Sequence, residues 1–256
     1  MKTSFQRNLL LWGVAVAVCV MAAGRMEASL RNDLLMYWSM DSVEDGLVRD
    51  TVGTNHLKAH NITITNLVPG KFGNAISLDG GSQFLSLQKQ SSRDLPIYAR
   101  QEFTIAMWVR GEPRQNNRML FAEGSSHNKL PLFLLGTHRE GTSGQLNVFV
   151  RETGEILNNL PTEGIVFNNR WTHIAWVNLG NSAKVFVNGE QNTEYRYERP
   201  NLALDYLSIG ALYRDPPAYF FKGEIDEVMI WERMLKPKEI KEVMRDGFAS
   251  GASVAE

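Results

Sequence analysis

The sequence predicts an all-β fold, a sandwich or a barrel, closed by one short C-terminal helix. Three observations predict it. Short apolar or alternating runs recur along most of the 256 residues. Turn-forming residues separate these runs, and convincing helical spacing occurs only near the C-terminus. Alternation sends successive side chains to opposite faces of a strand, so a period of two marks a sheet with one buried face.

The first 24 residues stand apart. Lys2 and Arg7 precede an apolar run from Leu9 to Ala23, followed by small residues and Arg25. This three-part pattern is that of a secretory signal peptide. The run is shorter than the roughly 20 residues a membrane-spanning helix requires, the alternative being an uncleaved membrane anchor; no later stretch approaches that length, so the mature chain is expected not to insert into a membrane. Export to the outside, the periplasm or the cell surface is therefore expected. The single cysteine, Cys19, lies inside this leader and follows Val18, which is poor context for lipid attachment. The mature chain then has no disulfide, and its stability must come from a core, with or without a metal.

The body follows in order. Strand-like runs fall at residues 34–40, 75–78, 84–87, 103–109, 131–135, 146–150, 172–177, 184–187, 207–209 and 221–231. Several are rich in Val, Ile, Phe, Tyr and Trp, which suit a pleated surface. Asp79-Gly80-Gly81 and Asn188-Gly189 mark tight turns, since Gly and Asn accept positive φ. About ten short strands separated by turns indicate a sandwich or a barrel. Pro237 opens the helix, Glu239, Ile240, Val243 and Met244 give its stripe, and Gly247 ends it. Phe248 is expected to fold back onto that helix. Residues 30–248 read as one domain and 249–256 as a flexible tail. The 27 basic and 28 acidic residues nearly cancel, which argues against a nucleic-acid partner.

Six motifs occur in succession: Leu35-Met36-Tyr37-Trp38-Ser39-Met40-Asp41, Gly70-Lys71-Phe72-Gly73-Asn74-Ala75-Ile76-Ser77-Leu78-Asp79-Gly80, Phe103-Thr104-Ile105-Ala106-Met107-Trp108-Val109, Trp171-Thr172-His173-Ile174-Ala175, Val185-Phe186-Val187-Asn188-Gly189 and Gly223-Glu224-Ile225-Asp226-Glu227-Val228. Together they resemble laminin G-like domains of the concanavalin A-like lectin/glucanase superfamily. The resemblance covers residues 34–246 and implies a jelly roll of two curved antiparallel sheets. It implies no single activity, because the fold serves lectins, adhesion modules and glycan-cleaving enzymes.

Retaining glucanases of the superfamily carry acids at i, i+2 and i+4 of one strand. Here Glu224 and Asp226 share a face, Val228 takes the third place, and Glu227 is expected on the opposite face. No catalytic residue is assigned. His56, His60, His127, His138 and His173 show no metal or catalytic spacing. His173 is expected to be a structural, hydrogen-bonded histidine. Trp108, Trp171, Trp176 and Trp231 are expected in the core, and Arg110, Arg114 and Arg118 in a solvated loop.

A calcium site is the favoured chemistry. Strand parity groups Asp226 with the apolar Val228 and Ile230, and a carboxylate near a core face needs a cation or several donors. Asp41 ends the first motif, and in this fold the first and last strands are commonly neighbours. Asp41 and Asp226 are therefore expected to meet and, with backbone carbonyls, to hold calcium, as superfamily members often do in this region. The competing reading gives Asp226 backbone N–H donors or an Arg.

For ligand recognition, Tyr213, Arg214, Asp215 and Tyr219 in one Pro-stiffened loop offer rings for sugars and charges for hydroxyls. The alternative is a loop whose aromatics cover the sheet end. Asn61-Ile62-Thr63 is a glycosylation sequon. The expected function is that of a secreted, non-catalytic module binding glycan or a glycosylated protein. The rivals are a glycan-cleaving enzyme on the same sandwich and a structural surface protein.

Overall fold

The computed structural model describes residues 30–89, 95, 97–127, 132–139, 144–152, 154–198 and 203–248. The signal-peptide segment with Cys19, and the tail at 249–256, lie outside the described residues. The chain divides into two compact units, Met1–Leu34 and Leu35–Glu256. Only residues 30–34 of the first are described, and the sandwich is the second.

Two antiparallel sheets make the sandwich. Sheet A contains β1 (Leu34–Trp38), β4 (Leu67–Pro69), β5 (Asn74–Asp79), β7 (Glu102–Gly111), β12 (Thr172–Leu179), β13 (Ser182–Val187), β14 (Glu190–Arg196) and β16 (Lys222–Trp231). Its order is β14-β13-β12-β7-β16-β5-β4, with β1 also pairing with β16. Sheet B contains β2 (Leu47–Val48), β3 (Leu57–His60), β6 (Phe84–Gln88), β8 (Met119–Gly124), β9 (Leu132–Thr137), β10 (Leu146–Glu152), β11 (Glu155–Asn158) and β15 (Tyr206–Ile209). Its order is β11-β10-β9-β8-β15-β6-β3-β2. All ten strand-like runs read from the sequence are strands. The shorter or more polar β2, β3, β4, β11 and β14, and the wholly buried β8, lacked an alternating signal.

The period of two explains the core. Ile105, Met107 and Val109 of β7 face inward with Ile174 and Trp176 of β12 and Val185 of β13, and they meet Phe133, Leu135 and Val148 of sheet B. Phe133 stacks on Trp176 at 5.3 Å and meets Phe103 and Tyr197 edge-on. Aromatic pairs of this kind add to what their burial contributes.

Both sheets are also covered on their outer faces. Over sheet A lies α1 (Pro237–Asp246), with Ile240 and Val243 buried. Its start is capped by Glu239, which accepts Lys236 N–H at 2.7 Å and pairs with Arg233 at 2.9 Å. Gly247 ends it at φ 62°, a conformation that favours glycine. Phe248 packs edge-on against Tyr37 of β1 at 5.5 Å. Over sheet B a second apolar cluster gathers Met119, Leu132, Leu134, Phe149, Tyr206 and Leu212. Among the described residues, no helix is long and apolar enough to cross a membrane.

Phe133→Ala is expected to lower unfolding free energy by about 3–5 kcal/mol, the usual cost of emptying a buried aromatic site. Leu179→Ala, at a position 46 % exposed, is expected to cost under about 0.5 kcal/mol. Chemical denaturation of both variants checks this, and equal costs would contradict the placement of the core.

Candidate functional site

The last strand carries the densest group of acids, and a bulge decides where they point. Asp226 lies opposite Trp108 of β7, yet Met229 lies opposite Ala106, so one extra residue is accommodated between them. Glu227 takes φ 52° at this step. Such a bulge changes the face on which following side chains emerge. Val228 and Ile230 enter the core while Asp226 lies on the outer side, level with Trp108. The parity expected from the sequence, which grouped Asp226 with Val228 and Ile230, is therefore corrected. The placing of Glu227 on the face opposite Asp226 is corrected too, because its Oε1 accepts the hydroxyl of Tyr37 at 2.7 Å, and Tyr37 faces away from the core between Met36 and Trp38.

The loop before β5 closes over this region. Lys71 N–H and Phe72 N–H donate to Asp226 Oδ2 at 2.7 and 3.1 Å. Asn74 N–H donates to Asp41 Oδ1 at 2.8 Å. Glycine is required at two points of the wrap. A Cβ on Gly70 would stand 2.6 Å from Asp226 Oδ2, and one on Gly73 would collide with Asp41 Oδ1. The same loop thus bonds both Asp41 and Asp226, which are 185 positions apart in sequence, and Asp41 lies close enough to act on Asp226 electrostatically.

Burial sets the electrostatics here. Asp226 is fully buried, and among the described residues its Oδ1 has no hydrogen-bond partner. Desolvation pushes its carboxyl up to about 7, against the backbone donors of Phe72 and Lys71 and with the help of Asp41. Desolvation likewise raises Glu227 to about 7, although Tyr37 and Phe248 N–H donate to it. A buried carboxyl with an unspent oxygen is a group that a hard cation would satisfy. Among the described residues no cluster of three or more His, Cys, Asp or Glu side chains is arranged around a metal. A cation here would draw its remaining ligands from backbone carbonyls and water.

The loop singled out for ligand binding lies against the other sheet. It is tied at its base by Leu212 N–H to Ala218 O and by Ala218 N–H to Leu212 O, at 2.8 and 3.0 Å. Tyr213 sits within 6 Å of His60, Phe84 and Tyr206. It therefore covers the outer face of sheet B, as the alternative reading had it. Arg214 lies 5.0 Å from the ring centre of Tyr219, and Asp215 is exposed at the tip. Arg151 of β10 lies in the field of Tyr219, Arg139 and Arg214. The sequence had no signal for Arg139 and Arg151, which belong to a different strand pair.

Other expectations change with the geometry. His173 is buried against Trp108 and desolvation depresses it to about 3, but its Nδ1 is without a partner. Trp176 and Trp231 are fully buried and Trp108 nearly so. Trp171 precedes β12 and stays at the rim, under the guanidinium of Arg110 at 5.2 Å. Arg110 is not in a solvated loop, because it lies in β7 and donates to Glu224 at 2.9 Å. Asn61 is exposed, and its amide donates to Ser82 O at 3.1 Å.

Comparison with known proteins gives a consistent picture. A laminin G family model, described as Concanavalin A-like lectin/glucanases superfamily, matches residues 79–241. No curated protein matches the chain. Domain 4 of AbnA, a GH43 extracellular arabinanase from Geobacillus stearothermophilus, in complex with arabinotriose, aligns with TM-score 0.61 at 18 % identity, over 83 % of this chain and 98 % of that one. Trypanosoma rangeli sialidase aligns with TM-score 0.62 at 16 % identity, over 85 % of this chain. A botulinum neurotoxin type C structure, from work tying that toxin's cell entry to two ganglioside molecules, aligns with TM-score 0.62 at 11 % identity over 85 % of this chain. The chain spans 34 % of the sialidase and 52 % of the toxin structure. At these identities the likeness concerns the fold.

The raised carboxyls have a measurable sign. Unfolded, Asp226 and Glu227 ionise near 3.8 and 4.5, and folded near 7. In a chelating buffer, stability should therefore be greatest below that window and fall as pH rises through it, levelling off above about 7. His173 opposes this, losing stability as pH falls from 6.5 toward 3. Asp226→Asn should flatten the falling arm in urea titrations across pH. A slope unchanged by the substitution would contradict the assignment.

Proposed function

This chain belongs to the laminin G-like branch of the concanavalin A-like lectin/glucanases superfamily, and from that premise we propose that it is an exported, non-catalytic domain that binds glycan or glycosylated protein. One observation carries the non-catalytic half. Each acid of the Glu224–Glu227 run is already engaged by protein: Glu224 by Arg110, Asp226 by Lys71 and Phe72, Glu227 by Tyr37. Glycoside cleavage needs two carboxyl groups facing each other across an open bond. The binding half is supported by Arg214 stacked near Tyr219 beside Asp215, at an accessible loop tip, with Arg151 nearby. Among structures of like fold, the arabinanase domain holds an arabinotriose and the toxin depends on gangliosides. Secretion rests on the leader-like pattern of residues 1–24.

A structural calcium held by Asp41 and Asp226 belongs to the same reading. It is supported by the unpartnered Asp226 Oδ1 and by a pair of like charges brought together at the cost of burial. The cation would tie the ends of β1 and β16 to the loop before β5. The rival reading, a glycan-cleaving enzyme, draws on the two carboxyls near 7, because perturbed acids gather at active sites.

Three measurements separate these readings. On a glycan array, Arg214→Ala and Tyr219→Ala should each weaken binding about ten-fold, the loss of a cation–π or stacking contact, with Tm unchanged. Binding indifferent to both would remove the loop from the site. Calcium should raise Tm and a chelator lower it, in the native chain but not in Asp226→Asn; absence of any shift, with no metal found by elemental analysis, would end the calcium proposal. Polysaccharide hydrolysis abolished by Glu224→Gln would replace the binding module with the enzyme.

A further inference from the structure

A second feature faces the opposite way, on the outer side of sheet A. A cleft of about 230 Å³ opens where β5, β7 and β16 run together, lined by Ser77, Arg110, Glu112, Asn169, Lys222 and Glu224. The register explains its shape. Ser77, Glu224 and Arg110 form one row across the three strands. In the next row Gly223 lies opposite Gly111, and the space their missing side chains leave is on the core face, where Phe221 fills it. Gly223 cannot be replaced cheaply, because at φ 148° a Cβ would strike Arg110 O.

The polar groups lining this cleft are held in place by protein contacts. Arg110 donates through Nε to Glu224 Oε2 at 2.9 Å and rests over Trp171. Among the described residues, that leaves its terminal N–H groups and Glu224 Oε1 without a protein hydrogen-bond partner. Lys222 pairs with Glu112 at 2.8 Å at the mouth. Gln115 holds that rim rigid, its amide donating to Lys222 O at 2.6 Å and accepting Lys222 N–H at 2.8 Å. The lining therefore carries two positive and two negative charges, and these cancel.

We propose that this cleft binds one neutral sugar unit, with Glu224 and Arg110 reading a pair of neighbouring hydroxyls. A hydroxyl both donates and accepts. A carboxylate oxygen and a guanidinium edge held side by side match two adjacent hydroxyls, one donating and one accepting, through charge-assisted bonds. Because protein contacts already orient both groups, little ordering is left to oppose binding. The balanced lining gives neither an anion nor a cation an advantage. The volume is below the roughly 300–1,000 Å³ of pockets that enclose drug-sized ligands, which suits a single residue of a longer chain. The inference rests on the reading of the chain as glycan-binding, but its site lies on the sheet opposite the Arg214–Tyr219 loop.

The test uses the leaderless chain, methyl glycosides of neutral hexoses and pentoses, and the matching uronic acids. Saturation-transfer and ¹⁵N-correlated NMR report binding and its location. At least one neutral glycoside should shift resonances of Ser77, Arg110, Glu224 and the Trp171 indole. Glu224→Gln should weaken it about ten-fold, the cost of one charge-assisted bond. Ser77→Trp should fill the cleft and abolish it, with Tm of both variants confirming the fold. Leu160→Ala, at an exposed position outside both sites, should leave it unchanged. The proposal is overturned if neutral glycosides leave the cleft silent, if binding survives both cleft variants, or if the uronic acids bind better. A silent cleft with shifts at residues 213–219 defeats this site and leaves the general reading standing; shifts in the cleft alone support it.

Discussion

The buried carboxylate of Asp226 is the constraint around which the end of the sandwich is arranged. One oxygen is spent on two successive backbone N–H groups of the Gly70–Asn74 loop, and the other has no partner. This fixes three separate parts of the chain. The last strand must bulge to present the acid on the outer side, the loop must use glycine where a side chain would strike it, and the end of the first strand must deliver Asp41 beside it. Uncompensated burial of this kind is costly. The surrounding structure holds it in place, and the site's chemistry follows from that strain in charge.

Much of the fold was legible because alternation is a direct consequence of strand geometry. The ten runs read from the sequence are strands, and the Pro237–Gly247 helix is where Pro and Gly place it. What escaped did so for physical reasons. β14 reads Glu-Gln-Asn-Thr-Glu-Tyr-Arg and pairs on one side only, so its pattern reports solvent and not pleat. β8 is buried along its whole length, which erases alternation. The bulge at Asp226 is one residue long and leaves no trace in composition, yet it reverses the parity argument for Asp226 and Glu227. The pairing of β1 with β16 was legible from the resemblance, whereas the Tyr37–Glu227 bond and the Arg110–Glu224 pair needed coordinates.

The two outer faces have been put to different uses. Sheet A is covered by α1 over one part and left open at the β5–β7–β16 row over another. Sheet B carries an apolar patch under Tyr213, with Arg214 and Tyr219 at its margin. A sandwich that needed only an interior would not require apolar residues on both sides of each sheet. Here the outer layers supply rigid platforms on which polar groups are oriented.

The borders of the sheets complete the design. Sheet A ends in β14, studded with Glu190, Glu194 and Arg196, and in β4, three residues long and finished by Pro69. Sheet B ends in the two-residue β2 and in β11, which opens with Glu155. Exposed backbone along such margins is the usual template for runaway polymerisation between copies, and short, charged or proline-bearing margins deny it. Margins of this kind disfavour zipping one backbone onto another, so association along them falls to side chains.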